Sequence, residues 1–487
     1  MKLARTTTSP ARAAFALAGL ALMILLAGVA AAGADTPRRP EGLKLGPLEF
    51  NPVQVTRDTL VCGVPVILYE NHDLPILDLT IQFRMGIRYL PVTQQTAARI
   101  LSSLWRDGGT EKLSADSLDF VLTALDASVS SGVGQRTSGV SISLSTEDAA
   151  RALPLWRDVA LEPRFEADRF ERARANRLKE IQEINNDPAA IAAQRLGWLV
   201  WGQDHPAAHV DTRAEIEGVT PAGLRAIHAR YVRPENAVIG VSGDFRRAEM
   251  LARLNELFRE WPATGPYEPP VAAPWDPHPA PGVYLLRGDY AQSQVRIARM
   301  VPGLTESSPD LAACRLLSFA LGYERVFYRT REEGLSYGTY VALSVGDEYS
   351  QLRGGGSGRS EATLPLLRAM LGEIADLPAR PVTSEELEAA RILQVGGEIQ
   401  SSETAAAIVQ RRVESLLRDR PEDFYEQLLR RLREATPEDL ARVGTTYVTR
   451  EDPWIVLVLG NPDTFGEPLE SLGLGPVREL EPVVFGE

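Results

Sequence analysis

The chain has 487 residues, 44% hydrophobic and 24% charged, with a net charge of −13. That length and composition suit a globular chain of about two to four domains and exclude disorder and a multi-span membrane protein. The acidic balance, with no basic cluster to offset it, excludes nucleic acid as a partner, and two cysteines are too few for a disulfide framework or a thiolate-rich metal site. Cys62 and Cys314 read as free buried thiols, with a single bridge as the alternative.

Lys2, Arg5 and Arg12 precede an apolar run over 13–26 and then small residues, with Ala32-Gly33-Ala34 in the A-x-A form. Residues 1–34 read as a signal peptide cleaved after Ala34, which implies an exported, periplasmic protein of a bacterium. The leader holds three basic and no acidic residues, so its removal leaves −16. The alternative is an inner-membrane anchor through residues 13–34. Once the leader is removed, no membrane contact is expected.

PVILYE (65–70) is a predicted strand. Leu79, Ile81, Phe83 and Met85 alternate with polar residues in a half-buried one. Ala97, Ala98, Ile100, Leu101, Leu104 and Trp105 form a helical stripe. Val140, Ile142 and Leu144 alternate with serines in a further strand, and helices are predicted over about 147–161 and 166–186. Eight prolines between 262 and 281 exclude helix and inner strand there, so an extended linker separates 35–261 from 282–487. The parts echo each other: Thr220-Pro221, Leu224 and Tyr231-Val232 return 216 residues later as Thr436-Pro437, Leu440 and Tyr447-Val448, each before an apolar strand (237–243, 454–460). The fold class read from this is α+β: two tandem homologous layered domains, each a sheet with helices on one face, joined by the Pro-rich linker.

The segments GVPVILYENHDLPILDLTIQFRMGIRYLP (63–91), GGT (108–110), RFERARANRLKEIQEINNDP ending at 188, WGQDHP (201–206), LRAIHARYVRPENAVIGVSGDF (224–245) and GLSYG (334–338) together resemble the pitrilysin/insulinase-type zinc metallopeptidases. The resemblance implies an inverted H-x-x-E-H helix with a downstream glutamate as third zinc ligand. Anchored on Gly109-Thr110, that motif falls on Ile100, Ser103 and Leu104, while Glu180 stands at the third-ligand position, unaccompanied. Alkyl groups donate no lone pair and serine is no substitute for the carboxylate base. The five histidines are 72, 205, 209, 228 and 278, so no register restores the motif. Pro206 interrupts the His205-x3-His209 pair, which reads as a structural turn, and no metal is assigned.

In two-subunit members the resemblance implies an arginine–tyrosine pair, in the zinc-free subunit, that grips substrate backbone. Tyr337 takes the tyrosine position; the usual spacing of seven lands on Thr330, leaving Arg331 or Arg329 as the arginine. The alternative makes these solvated charges and a core tyrosine. RGGGSG (353–358) lacks P-loop spacing and reads as a flexible turn or a close backbone passage. The expected function is a catalytically silent exported subunit. It carries no cofactor of its own and pairs with a zinc-bearing homologue to enclose and position unstructured peptides. A purely structural or binding module, or an active metallopeptidase with an unusual metal site, are the alternatives.

Overall fold

A computed structural model describes residues 55–261, 267–268, 270–271, 276–449 and 451–487. The leader expected at 1–34, and residues 262–266, 269 and 272–275 of the expected linker, lie outside the described residues. In the first half, strands β1 (Thr56–Thr59), β2 (Pro65–Glu70), β3 (Ile76–Phe83), β4 (Ser128–Val133), β5 (Ser138–Ser145) and β6 (Ala237–Gly243) form one sheet. Its order is β1-β2-β6-β3-β5-β4, with only β2 and β6 parallel. In the second half, β7 (Gly282–Arg287), β8 (Ser293–Val301), β9 (Thr339–Val345), β10 (Ser350–Gly358), β11 (Ile455–Gly460) and β12 (Val477–Glu479) form another, ordered β12-β7-β11-β8-β10-β9. Apart from β1 and β12, the two orders match strand for strand.

The helices of the first half are α1 (Val92–Asp107), α2 (Ala115–Ala124), α3 (Ala149–Leu161), α4 (Ala167–Glu183), α5 (Pro188–Trp201), α6 (Arg213–Gly218), α7 (Pro221–Tyr231) and α8 (Arg247–Leu257). Those of the second are α9 (Leu311–Phe319), continued as a π-helix over Ala320–Phe327, then α10 (Tyr328–Glu332), α11 (Thr363–Ala375), α12 (Ser384–Gln400), α13 (Ala405–Leu417), α14 (Phe424–Glu434) and α15 (Pro437–Val443). The repeated Thr-Pro marks a helix start both times. Thr220 and Thr436 accept a backbone N–H from the first turn, and the following proline occupies a position whose own N–H would go unused.

Leu77, Leu79, Ile81 and Phe83 of β3, with Val140, Ile142 and Leu144 of β5, bury against the helices of their own half. The opposite face is not bare, as a one-sided layering would have it. Helix α13 from the second half lays Val409, Val413 and Leu417 on Ile67 and Val238 of sheet one. In return α5 lays Ala192, Val200 and Trp201 on Tyr284, Ala298 and Leu457 of sheet two. The described residues accordingly belong to one compact unit. The segment 353–358 is inner strand β10 rather than a turn. A Cβ at Gly354 would stand 2.8 Å from Met370 Cε of α11, and one at Gly358 2.4 Å from the Leu335 carbonyl oxygen, so these glycines admit close neighbours. Both cysteines are free; Cys314 is buried, but Cys62 is only half-buried, contrary to expectation. Among the described residues, no helix is long and apolar enough to cross a membrane.

Candidate functional site

Two places answer to the residues singled out by sequence. The first is helix α1. Ile100 and Leu104 are buried in the main core with Leu101 and Trp105, continuing the predicted stripe. The Ser103 hydroxyl donates back to the Ile100 carbonyl (3.3 Å), a local bond that keeps it on its own helix. Glu180 on α4 takes a hydrogen bond from Arg177 Nη1 at 2.9 Å, so its charge is met by a guanidinium. Two alkyl groups, a hydroxyl turned to its own backbone and a neutralised carboxylate do not fit zinc.

Beside this helix is a cluster that sequence reading missed. Asp211 is fully buried; Thr96 Oγ1 donates to its Oδ1 (2.9 Å), Arg177 Nε to its Oδ2 (2.7 Å) and Arg99 Nη1 to its Oδ1 (2.5 Å). His209 Nε2 lies 3.2 Å from Glu215 Oε2, and the ligand atoms of His209, Asp211 and Glu215 all fall within 4.8 Å of one another. Two guanidinium groups already hold Asp211, and Glu215 closes the capping box of α6 with Thr212. Cation and carboxylate are thus matched from within the protein. Asp211 lies 34 residues beyond Arg177, with no periodicity to announce the pairing.

Three further histidines serve local structure. His205 caps the turn Pro206–Ala208, its Nδ1 accepting from Ala207 N (3.1 Å). His228 donates from Nε2 to the Ala160 carbonyl (2.9 Å) with its ring edge-on to Trp105, and burial pulls its pKa down to about 4. His72 bridges Asp244 (2.6 Å) and Glu70 (2.9 Å) on the surface, and these bonds raise its pKa.

The second place is the turn from α10 into β9. Thr330 is buried, its hydroxyl donating to the Val326 carbonyl (2.8 Å), so the residue at the usual spacing serves the helix. Arg329 is committed to Glu333 (2.9 Å) and Glu373 (2.8 Å), and these bonds hold its pKa up. Arg331 instead lies over the Phe327 ring (5.6 Å), without a carboxylate partner among the described residues. Gly334 takes the left-handed conformation (φ 66°) that turns the chain off the helix. Ser336 then donates to the Ser357 carbonyl (2.6 Å) and accepts from Gly338 N (3.2 Å). This clamp leaves Tyr337 88% exposed, so it is not a core residue.

A family model described as the peptidase M16 inactive domain matches residues 218–393. An uncharacterized zinc protease of Mycobacterium leprae is 29% identical over 205 residues, 41% of this chain and 45% of that protein, so the chain matches less than half the length of that relative. The non-peptidase homolog YmxG of Helicobacter pylori is 22% identical over 391 residues, 77% of this chain and 87% of its own. The crystal structure of the periplasmic protease PqqL from Escherichia coli shares the fold, with a TM-score of 0.71 and 15% identity; the likeness covers 93% of this chain and 51% of that one.

Proposed function

The chain belongs to the pitrilysin/insulinase-type peptidases, the M16 family, without that family's zinc helix, and from this premise we propose that it is an exported, catalytically silent subunit that pairs with a zinc-bearing homologue and positions peptides for it. The observation that carries the reading is the coexistence of an apolar α1 with a presented Tyr337. A tyrosine left 88% exposed by a dedicated serine clamp adds nothing to the core, and so it is free to meet another molecule. The half-length match to PqqL supports pairing, since this chain corresponds to about one half of a longer protease.

In this reading Arg331, not Arg329, takes the arginine role, because Arg329 is already held by two carboxylates. Its guanidinium donates to a peptide carbonyl of the substrate, and the Tyr337 hydroxyl donates to the oxygen on which charge develops. Both act by positioning and electrostatics, while the metal chemistry belongs to the partner.

The test is Tyr337→Phe in a complex reconstituted with the zinc-bearing homologue. Turnover should fall roughly 10- to 1000-fold, the range for loss of one oxyanion donor, with complex formation and metal content unchanged. Undiminished turnover, or no association with such a homologue, would leave the chain as a structural module of the same fold.

A further inference from the structure

The second face of sheet two carries an unbalanced positive charge beyond the edge of helix α5. Arg296 of β8, Gly355 of β10 and Tyr340 of β9 stand in one row across the ladder, and Ala298, Arg353 and Ala342 stand in the next. Residues directly opposite or diagonal on one face lie within reach of each other's long side chains. Gly355 makes the row possible: a Cβ there would stand 2.9 Å from Arg296 Cδ and 3.2 Å from both Arg296 Nη1 and Tyr340 Cε1. Flanking alanines give Arg353 the same open floor.

Among the described residues, Arg296 donates to neutral groups, the carbonyls of Val295 (2.9 Å), Ala189 (3.3 Å) and Gly356 (3.4 Å) and the Gln294 side chain (3.4 Å). Burial lowers its pKa, and the fields of Tyr340 and Asp187 oppose that only in part. Asp187 itself caps α5 through Ala189 N. Arg353 is exposed and forms no ion pair among the described residues. Tyr340 is exposed beside it. Among the described residues, a half-buried cation with no carboxylate in hydrogen-bond contact stands next to one with no ion pair, a costly arrangement in a chain whose acids outnumber its bases by 13. The matching row of sheet one is neutral, with Thr80, Ser141 and Ser130.

We propose that this row is a carboxylate-binding subsite for an extended peptide lying across β9 and β10, with Arg353 pairing directly, Tyr340 donating from its hydroxyl and Arg296 supplying the field. It rests on the reading of the chain as a peptide-positioning subunit and adds to it a preference for carboxylate-bearing peptides. The shared chemistry is a carboxylate, from an aspartate or glutamate side chain or from a peptide C-terminus.

Fluorescence anisotropy on the purified full chain tests this with three labelled Gly/Ser peptides. One carries three glutamates and an amidated C-terminus, the second has glutamines in their place, and the third is the second with a free C-terminus. One or both carboxylate peptides should bind roughly 10-fold tighter than the second at low salt, as charge-assisted pairing predicts. Arg353→Gln should reduce that advantage at least about threefold and Tyr340→Phe should weaken it further, both with unchanged thermal melting. Advantage for the glutamate peptide assigns the site to side chains, and advantage for the free terminus assigns it to C-terminal capture. Equal binding of all three, no binding of any, or a preference untouched by Arg353→Gln would overturn the subsite. A carboxylate preference in the isolated chain without association with a zinc-bearing homologue would remove the pairing and leave the subsite standing.

Discussion

At the crossing of α13 over sheet one, Gly240 lies under Val409; at the crossing of α5 over sheet two, 217 residues away in each partner, Leu457 shares a buried cluster with Ala192. One half places the bulk on the visiting helix and the other on the sheet. A Cβ on Gly240 would stand 2.5 Å from Val409 Cγ1 and 2.9 Å from Val413 Cγ2. The duplicated halves have therefore kept a shared volume at each crossing while exchanging which side fills it. Charges show the same redistribution. Arg99 and Arg177 flank Asp211 in the first half; Arg315 and Arg411 flank Glu398 in the second, with the acid on α12 itself. Both outer strands are tied alike, Val133 N to Ser102 Oγ and Leu343 N to Ser318 Oγ, each at 3.0 Å.

The harshest test of this comparison is to force the family motif into α1, whose counterpart α9 likewise buries a set of apolar side chains. The triple variant Ile100→His, Ser103→Glu, Leu104→His puts three polar groups where two core side chains now pack. It should lose on the order of 5 kcal/mol in chemical denaturation and bind no stoichiometric zinc by elemental analysis. Stable folding with one zinc per chain would show that α1 still belongs to a latent metal site. Next, Asp211→Asn removes the buried carboxylate from Arg99 and leaves Arg177 only Glu180 among the described residues; it should cost about 3–5 kcal/mol, more than Glu398→Gln, whose side chain is 11% exposed against 0%. Equal losses would mean that burial does not distinguish the two clusters.

His228 has Gly444 as its counterpart 216 residues on, so its titration belongs to the first half alone. With the folded pKa depressed to about 4, its contribution is complete above the unfolded value near 6.5 and is lost as pH falls toward 4. The loss is about 3 kcal/mol, and His228→Gln should flatten stability measured against pH across that window. The smallest change is Gly240→Ala, expected to cost about 1–3 kcal/mol by overpacking. Adding Val409→Ala, which imports the second half's arrangement, should recover part of that loss in a double-mutant cycle. Strict additivity would show that the two positions do not share the volume.

The zinc motif's absence, the duplication with its repeated Thr-Pro and the strand at 65–70 were legible in the sequence because each depends on neighbours or on a fixed repeat, and the strand expected over 79–85 is present as Ile76–Phe83, ending before Met85. Ile100 and Leu104 announced their burial through helical periodicity alone. What only the tertiary structure decided are contacts between segments far apart in the chain. Asp211 meets Arg99 across more than a hundred residues, and Gly240 takes its reason from Val409 in the other half. Arg329 and Arg331 are alike in sequence, yet Glu373 on α11 captures one and leaves the other over Phe327. RGGGSG carries the composition of a turn, but pairing on both sides and the close approach of Met370 make it an inner strand. Local pattern determines which face of an element is apolar; the packing of distant elements determines which charges are neutralised and which remain open to a partner.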